Sequence, residues 1–392
     1  MNRSKWPAFL TTLTAASALA LTGCASDDGT DAGATAGPSA ASGSAYDLAS
    51  VCPSTIVVQT DWNPESEHGG TYKLVGPSPK IDADKKRVTG ALVAKDGTDT
   101  GVDIEIRAGG PAIGFQNVAA QMYADTSITL GYGGSDDAIA LSKSQPTLGV
   151  FAGLEKSPQI IMWAPDAHPD WQGIADIGKT DTKVLYFQGA AYMDYLTGKG
   201  ILKKGQVDGS YDGAPANFVA SAGKVAQQGF ATAEPYIYEH EIKAWGKAVK
   251  YQLIADTGYD FYQQMLAIRT GEKEKLAPCL KKLVPIMQQA EVDFMNDPAA
   301  TNKLILELVE KYNNGWTYSQ GVADNCVKQM KALGIVGNGK DATIGNFDDS
   351  RLAALIDITK PIFAAQNKEM KSDIKAADLA TNEFIDPSIG LK

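Results

Sequence analysis

The chain has 392 residues, with 44% hydrophobic and 21% charged side chains, as in an ordinary globular protein. This length is enough for two domains. Acidic residues outnumber basic ones by 46 to 36, which gives a formal net charge of −10. Because no basic stripe follows the first few residues, we expect no nucleic-acid partner.

The N-terminus has the pattern of an export signal. Arg3 and Lys5 precede a mostly apolar run, residues 6–21. This run is shorter than a typical transmembrane helix, so we do not expect it to be a permanent membrane span. The run ends in Leu21-Thr22-Gly23-Cys24, which resembles the lipobox of bacterial lipoproteins. That resemblance implies a signal peptide at 1–23 and a palmitate-type diacylglyceryl group on Cys24. The alternative is an ordinary secretory signal, with Cys24 present by chance.

Residues 24–50 are mainly Ala, Gly, Ser, Thr and Asp. Such a segment has too few large apolar side chains to offset the entropy of ordering, so it predicts a flexible lipidated tether. We therefore expect the protein at the outer face of a bacterial cytoplasmic membrane, held there by its lipid alone.

The folded part begins with three strand–turn–helix units. Strands are predicted at 55–60, 102–106 and 128–132, and helices at 65–74, from 117, and up to Ser142. Strands that alternate with helices predict a parallel sheet covered by helices.

A second unit follows two apolar strands, 146–151 and 159–163, that have no helix between them. Its strands are predicted at 183–187, 230–232 and 250–254. Helices starting near Pro298, Val322 and Asp349 complete the chain. The sequence thus predicts an α/β protein with lobe I at 51–154 and 255–392, lobe II at 155–254, and a helical C-terminal return. Loops at the carboxyl ends of the strands would line a hinged cleft.

Four short motifs, taken in order, resemble solute-binding proteins of ABC importers, in the group that takes nitrate, sulfonates, taurine and thiamine-pyrimidine precursors. They lie at 61–69 (Asp-Trp-Asn-Pro followed by His-Gly), 133–136, 172–180 and 233–236, and the resemblance covers about residues 54–390. It implies a type II periplasmic-binding fold of two Rossmann-like lobes. It also implies a small-molecule solute, permease and ATPase partners, a monomer, and no cofactor.

Two other classes of function stay open at this point. One is an enzyme on the same fold, since a pyrimidine synthase resembles these proteins, but that enzyme has a cysteine-rich iron site and this sequence has no such cluster. The other is a surface adhesin or receptor. We expect no enzymatic activity, and the sequence has no metal-ligand spacing such as CxxC or HxxxH.

Three lobe I residues are candidate ligand contacts, each with a plainer alternative. Trp62 could stack on a flat ligand or be a core side chain. Asp61 could accept hydrogen bonds from a donor-rich ligand or only cap its turn. His68 could bind ligand or merely complete the first helical turn.

Further candidates lie in the loops of both lobes. Backbone amides that open helices could hold a ligand, or these loops could be simple turns. Two tyrosines could clamp the ligand, and Glu234 would favour an amino-bearing or cationic ligand, such as a pyrimidine-like one, over an anion. The remaining candidates are Gly110, Gly133, Gly134, Ser135, Gln188, Gly189, Tyr192 and Tyr236.

An exported protein meets an oxidising compartment, so a disulfide is expected. Cys279 and Cys326 both lie in helical patterns, and we predict that they pair. Free buried cysteines are the alternative, and the role of Cys52 is left open.

Overall fold

The computed structural model describes residues 37–392, so the predicted signal peptide and Cys24 lie outside the described residues. Within that range the chain forms twelve strands. They are β1 (Thr55–Gln59), β2 (Lys80–Asp82), β3 (Arg87–Val93), β4 (Asp99–Arg107), β5 (Leu130–Gly133), β6 (Thr147–Ala152), β7 (Gln159–Trp163), β8 (Val184–Leu185), β9 (Val207–Asp208), β10 (Ala226–Phe230), β11 (Lys250–Leu253) and β12 (Met265–Arg269).

Twelve α-helices accompany these strands in the same part of the chain. They are α1 (Gly69–Lys73), α2 (Val118–Ala124), α3 (Ser135–Ala140), α4 (Ile174–Gly178), α5 (Ala191–Gly198), α6 (Ala216–Ala220), α7 (Glu234–Tyr236), α8 (Lys273–Asn296), α9 (Ala299–Tyr312), α10 (Gln320–Ala332), α11 (Asp349–Ala365) and α12 (Ala376–Leu379).

The strands form two sheets, one for each lobe. The first has the order β2-β3-β4-β1-β5-β12-β6, and the second has the order β11-β7-β10-β8-β9. Strand β1 is parallel to β4 and β5, whereas β12 runs antiparallel to both of its neighbours. The chain crosses between the sheets at residues 153–158 and 254–264. The predicted two-lobed α/β fold is confirmed.

Sequence signals mark the start of helix α11 and the end of helix α9. The Asp348 side chain accepts hydrogen bonds from the backbone amides of Ser350 and Arg351 at the start of α11. Helix α9 follows Pro298 and ends at Asn313, which has the left-handed φ of 42° that often closes a helix.

One apolar cluster joins the two lobes at the hinge. It includes Ile139 of lobe I, Trp163 of lobe II, Tyr259 of the second crossing and Leu355 of α11, all buried. Helix α11 packs against both α3 of lobe I and α5 of lobe II. The two lobes therefore share a buried apolar cluster at the crossings and are not joined by the two chain segments alone.

The polar stretch 76–100 adds two strands to the sheet of lobe I. It forms β2 and β3, which pair antiparallel with each other and with β4. The predicted helix 65–74 is a 3₁₀ turn at Ser66–His68 followed by the short helix α1.

The predicted tether ends earlier than expected, because residues 37–50 lie on lobe I. The Ala40 amide donates to the Asp99 carbonyl at 2.8 Å, and the Asp99 amide donates to the Pro38 carbonyl at 2.9 Å. Leu48 is fully buried in the lobe I core. Composition alone missed this segment because one leucine and a few backbone hydrogen bonds anchor it.

The predicted disulfide between Cys279 and Cys326 is wrong. Cys279, on α8, is bonded to Cys52, just before β1, with their Cα atoms 4.7 Å apart. Cys326 is a free thiol buried in a separate apolar cluster with Phe294 and Met330. Cys279 and Cys326 both lie in helices, as their patterns indicate, but a helical pattern does not say which face of a helix meets which neighbour.

None of the helices between residues 37 and 392 combines the length and the hydrophobicity that a membrane span requires.

Peptide mapping of the unreduced protein should find Cys52 linked to Cys279 and should find Cys326 alkylated only after unfolding. The variant Cys52→Ser should lose about 2–4 kcal/mol of unfolding free energy, because the bond closes a long loop in the unfolded chain. A peptide linking Cys279 to Cys326 would contradict the structure.

Candidate functional site

A cleft of about 430 Å³ lies between the two sheets. Its walls come from both lobes, and the second crossing forms its base. The turns after β1, β4 and β5 supply one wall, and those after β8 and β10 supply the other. Its lining residues include Asp61, Trp62, Glu65, Phe115, Asn117, Gly133, Gly134, Asp137, Gln159, Phe187, Gln188, Gly189, Tyr211, Gln228, Phe230, Glu234, Gln264 and Trp316.

Asp61 is the carboxylate whose position in this cleft is most firmly fixed. His68, which is fully buried, contacts Asp61 Oδ1 through Nε2 at 2.7 Å. Gln264 donates from Nε2 to both oxygens of Asp61, at 3.3 and 3.4 Å. The Asp61 side chain keeps 25% of its surface exposed. It is therefore oriented by buried partners and still accessible from the cleft.

Two buried oxygen atoms beside Asp61 have no hydrogen-bond partner within the described residues. They are Oε1 of Glu65, a residue 3% exposed, and Oε1 of Gln264, a residue 1% exposed. Leaving a buried polar atom unpaired costs about 1–3 kcal/mol. A ligand that donated hydrogen bonds here would recover that cost.

The carboxyl groups around Glu65 oppose its ionisation. Burial raises the pKa of Glu65 well above its ordinary value, and the negative charges of Glu67, Asp61 and Glu234 raise this pKa further. Burial also raises the pKa of Glu234 to about 7, although its Oε2 accepts a 2.6 Å hydrogen bond from the Phe230 amide. This end of the cleft therefore favours positive charge.

Aromatic side chains from both lobes meet over the cleft. The ring centre of Trp62 lies 5.9 Å from that of Phe115, 5.6 Å from that of Phe187 and 5.8 Å from that of Trp316. Phe187 belongs to lobe II and also packs on Tyr211, at 4.9 Å. We call Trp62, Phe115, Trp316, Phe187 and Tyr211 the aromatic arch. It offers flat apolar surfaces of the kind that stack on rings or face cations.

Two backbone features shape lobe I's side of the arch. Gly110 has a φ of +53°, and a Cβ atom there would lie 2.7 Å from the Trp62 ring, so glycine is needed for the indole to sit where it does. Phe115 also has a positive φ, 57°, and leaves 57% of its surface exposed. A large side chain in this strained conformation is uncommon and is typical of functional loops.

The structure places seven of the sequence-predicted site residues in the cleft wall. They are Asp61, Trp62, Gly133, Gly134, Gln188, Gly189 and Glu234.

The other five predicted residues lie behind the wall. His68 holds Asp61, and Gly110 backs Trp62. Ser135 is buried and accepts a hydrogen bond from the Tyr262 amide at 3.0 Å. Tyr192 is also buried and donates to Gln228 Oε1 at 2.5 Å, so it orients that amide instead of clamping a ligand. Tyr236 packs on His240, with ring centres 4.5 Å apart.

Sequence reasoning missed several side chains of the cleft wall. Phe187 follows the end of β8 by two residues, which is a local signal for a cleft-lining turn, and Phe115 lies in the loop between β4 and α2. No local signal marks Gln264 or Trp316, because long-range folding brings them to the cleft.

The lobes touch beside the cleft, so the structure is a closed arrangement. Glu67 of lobe I, through Oε1, accepts a short hydrogen bond from the Thr232 hydroxyl of lobe II. Asn325, on α10, donates to the Thr232 carbonyl at 2.9 Å. Thr232 is two residues from Glu234, so lobe contact and cleft lining share one turn.

Across residues 37–392, no group of three or more His, Cys, Asp or Glu side chains is placed to hold a metal ion together.

No protein-family profile matches the chain, and no curated protein sequence matches it significantly. Solved structures do resemble it. The periplasmic aliphatic sulphonate-binding protein SsuA of Escherichia coli is 14% identical with a TM-score of 0.51, over 80% of this chain and 88% of that one. The alkanesulfonate-binding protein SsuA of Xanthomonas axonopodis, bound to MOPS, is 13% identical with a TM-score of 0.51, over 84% and 98%.

A third structure is the ligand-binding component of an ABC-type import system from Staphylococcus aureus, with zinc bound. It is 12% identical with a TM-score of 0.51, over 85% of this chain and 98% of that one. The chain has the type II periplasmic-binding fold. Identities this low establish the fold alone.

Replacing Glu65 by Gln should stabilise the ligand-free protein at pH 8 by about 1–3 kcal/mol and change it little at pH 4.5. The pKa of Glu65 is higher in the folded state than in the unfolded state. The contribution of Glu65 to stability is therefore complete at low pH, where Glu65 is protonated, and is lost as the pH rises. Chemical denaturation at both pH values tests this, with Glu310→Gln on an exposed face of α9 as the control. A variant that is less stable than wild type at pH 8 would contradict it.

Proposed function

We propose that this protein is the extracytoplasmic solute-binding component of an ABC importer and captures a small molecule between its two lobes. The main support is the aromatic arch, because Trp62 and Phe187 belong to different lobes and approach to 5.6 Å over the cleft. A ligand held beneath them would contact both lobes at once. It would thereby stabilise the closed arrangement over the open one.

The ligand we propose is an amino-bearing or heteroaromatic compound, such as a pyrimidine precursor. The unpaired oxygens of Glu65 and Gln264 can accept hydrogen bonds from a ligand, and the aromatic arch can stack on a flat or apolar group. Trp316 also has a buried Nε1 without an acceptor in the described part of the chain, which suits a ring nitrogen or carbonyl. A simple inorganic ion offers no surface for the arch.

Nitrate, sulfonate or taurine binding is the alternative. Two of the similar solved structures are described as sulfonate-binding proteins. The cleft lining given above contains Asp61, Glu65, Asp137 and Glu234 but no Lys or Arg within residues 37–392. Carboxylates at the cleft wall disfavour a sulfonate, so we favour the amino-bearing class.

We further propose that Cys24 carries the lipid anchor and that a permease and an ATPase are the partners. The lipobox-like motif and the short polar segment that follows it support the anchor. The likeness to a component of an ABC-type import system supports the partners. In this role the protein binds its solute without converting it, which separates it from an enzyme on the same fold.

Replacing Trp62 by Ala should weaken solute binding about 10- to 100-fold, because the variant loses the stacking face of the arch. Isothermal titration with the solute that best raises the melting temperature measures this. Trp245→Ala is the matched control, since Trp245 packs on Phe218 away from the cleft lining. Equal affinities for wild type and Trp62→Ala would contradict the proposed site.

Replacing Cys24 by Ser should move the protein from the detergent phase to the aqueous phase in a Triton X-114 partition, because no thiol remains to accept lipid. Cys326→Ala should partition like wild type. If Cys24→Ser stays in the detergent phase, the anchor proposal is wrong.

A further inference from the structure

Three acceptor side chains converge at one end of the cleft. Gln264, on the second crossing, uses its Nε2 to hold Asp61, which leaves its Oε1 as the free end of the amide. Glu65 adds a second unpaired oxygen, also buried. Two of these acceptors have no hydrogen-bond partner among residues 37–392, so N–H groups of a ligand could pair with them.

His68 orients the Asp61 carboxylate. Its Nε2 contacts Asp61 Oδ1 at 2.7 Å, whereas its Nδ1 lies 3.9 Å from Glu65 Oε1, beyond hydrogen-bond range, and has no hydrogen-bond partner in the described part of the chain. The Asp61 side chain keeps 25% of its surface exposed, so the carboxylate held in this way is still accessible to a ligand.

The charged groups that face Glu65 are otherwise acidic. Glu67 follows it in the same turn, Asp61 precedes it, and Glu234 approaches from lobe II. The basic side chain that acts on the cleft's Asp137 is Lys368, which lines a separate surface depression with it. The field at the Asp61 end is therefore negative, and the nearby aromatic faces add to its preference for a cation.

We propose that the captured solute is an organic cation whose positively charged N–H group binds Asp61, Glu65 and Gln264 while its apolar part lies under Trp62 and Phe187. The inference rests on the proposed solute-binding function and narrows it to one charge class. In the ligand-free protein, a proton shared between the Glu65 carboxyl and the Gln264 amide would occupy the position of the ligand's N–H group. A bound cation would displace that proton.

The test uses sets of ligands that match in shape and differ in charge. One set is benzamidinium, benzamide and benzoate, and another is 3-pyridylmethylammonium, 3-pyridylmethanol and nicotinate. Isothermal titration of the full chain at pH 7.5 should show that a cation binds at least tenfold more tightly than its neutral and anionic counterparts. A neutral or anionic member that binds as tightly as the cation would overturn the proposal, as would the failure of both cations to bind.

Variants locate the charge recognition. Asp61→Asn and Gln264→Met should each weaken cation binding at least tenfold and should change the affinity for the neutral isostere by less than threefold. Asp212→Asn, at an exposed lobe II position outside the cleft lining, is the control. A loss of affinity equal for the cation and the neutral isostere would overturn the charge assignment. Having two cleft variants keeps the test valid if one of them does not fold.

Failure of this inference is distinguishable from failure of the proposed function. If a sulfonate or a neutral solute binds with micromolar affinity and Trp62→Ala abolishes that binding, the protein is still a solute receptor but the cation assignment is wrong. If no cation, neutral compound or anion of a broad solute panel binds, both proposals fail.

Discussion

The chain passes between its two sheets only twice within residues 37–392, and the second crossing contributes Gln264 to the base of the cleft. The shared apolar cluster under the hinge, with α11 packed on both lobes, fixes the base of the cleft. Beside the cleft the lobes also meet, through the Glu67–Thr232 and Ser319–Glu241 contacts, the Asn325 hydrogen bond and the aromatic arch. A ligand that contacts both lobes would add to these contacts and favour the closed arrangement.

The cleft combines features that would be costly in a protein selected for stability alone. Glu65 and Gln264 keep buried oxygens unpaired, Phe115 holds a positive φ, and several carboxyl groups share a confined space. Each is destabilising without a ligand. All of these features border the same cleft. A ligand with several hydrogen-bond donors and an apolar part would pair the free oxygens and offset the repulsion between the carboxyl groups. The cost of these features in the ligand-free protein is therefore consistent with the proposed binding role.

Patterns that depend on chain order were predictable from the sequence. Strand β1, the crossing from β6 to β7, and the caps of α9 and α11 each follow from residues that are neighbours in the chain. Seven candidate residues in turns after strands do line the cleft. The direction in which each side chain points could not be predicted from the sequence. Tyr192, Ser135 and Tyr236 lie in the expected turns or short helices but point elsewhere, and Cys279 meets Cys52 rather than Cys326. Gln264 and Trp316 enter the cleft only through long-range packing.

Native mass spectrometry can show whether one small molecule is held between the lobes. The protein would be isolated without unfolding from cells that make it naturally, beside a Trp62→Ala variant isolated in the same way. We expect one bound small molecule on the wild type and little or none on the variant. Equal occupancy of the two proteins, or a wild type that carries no small molecule even after incubation with the cells' own growth medium, would contradict this expectation.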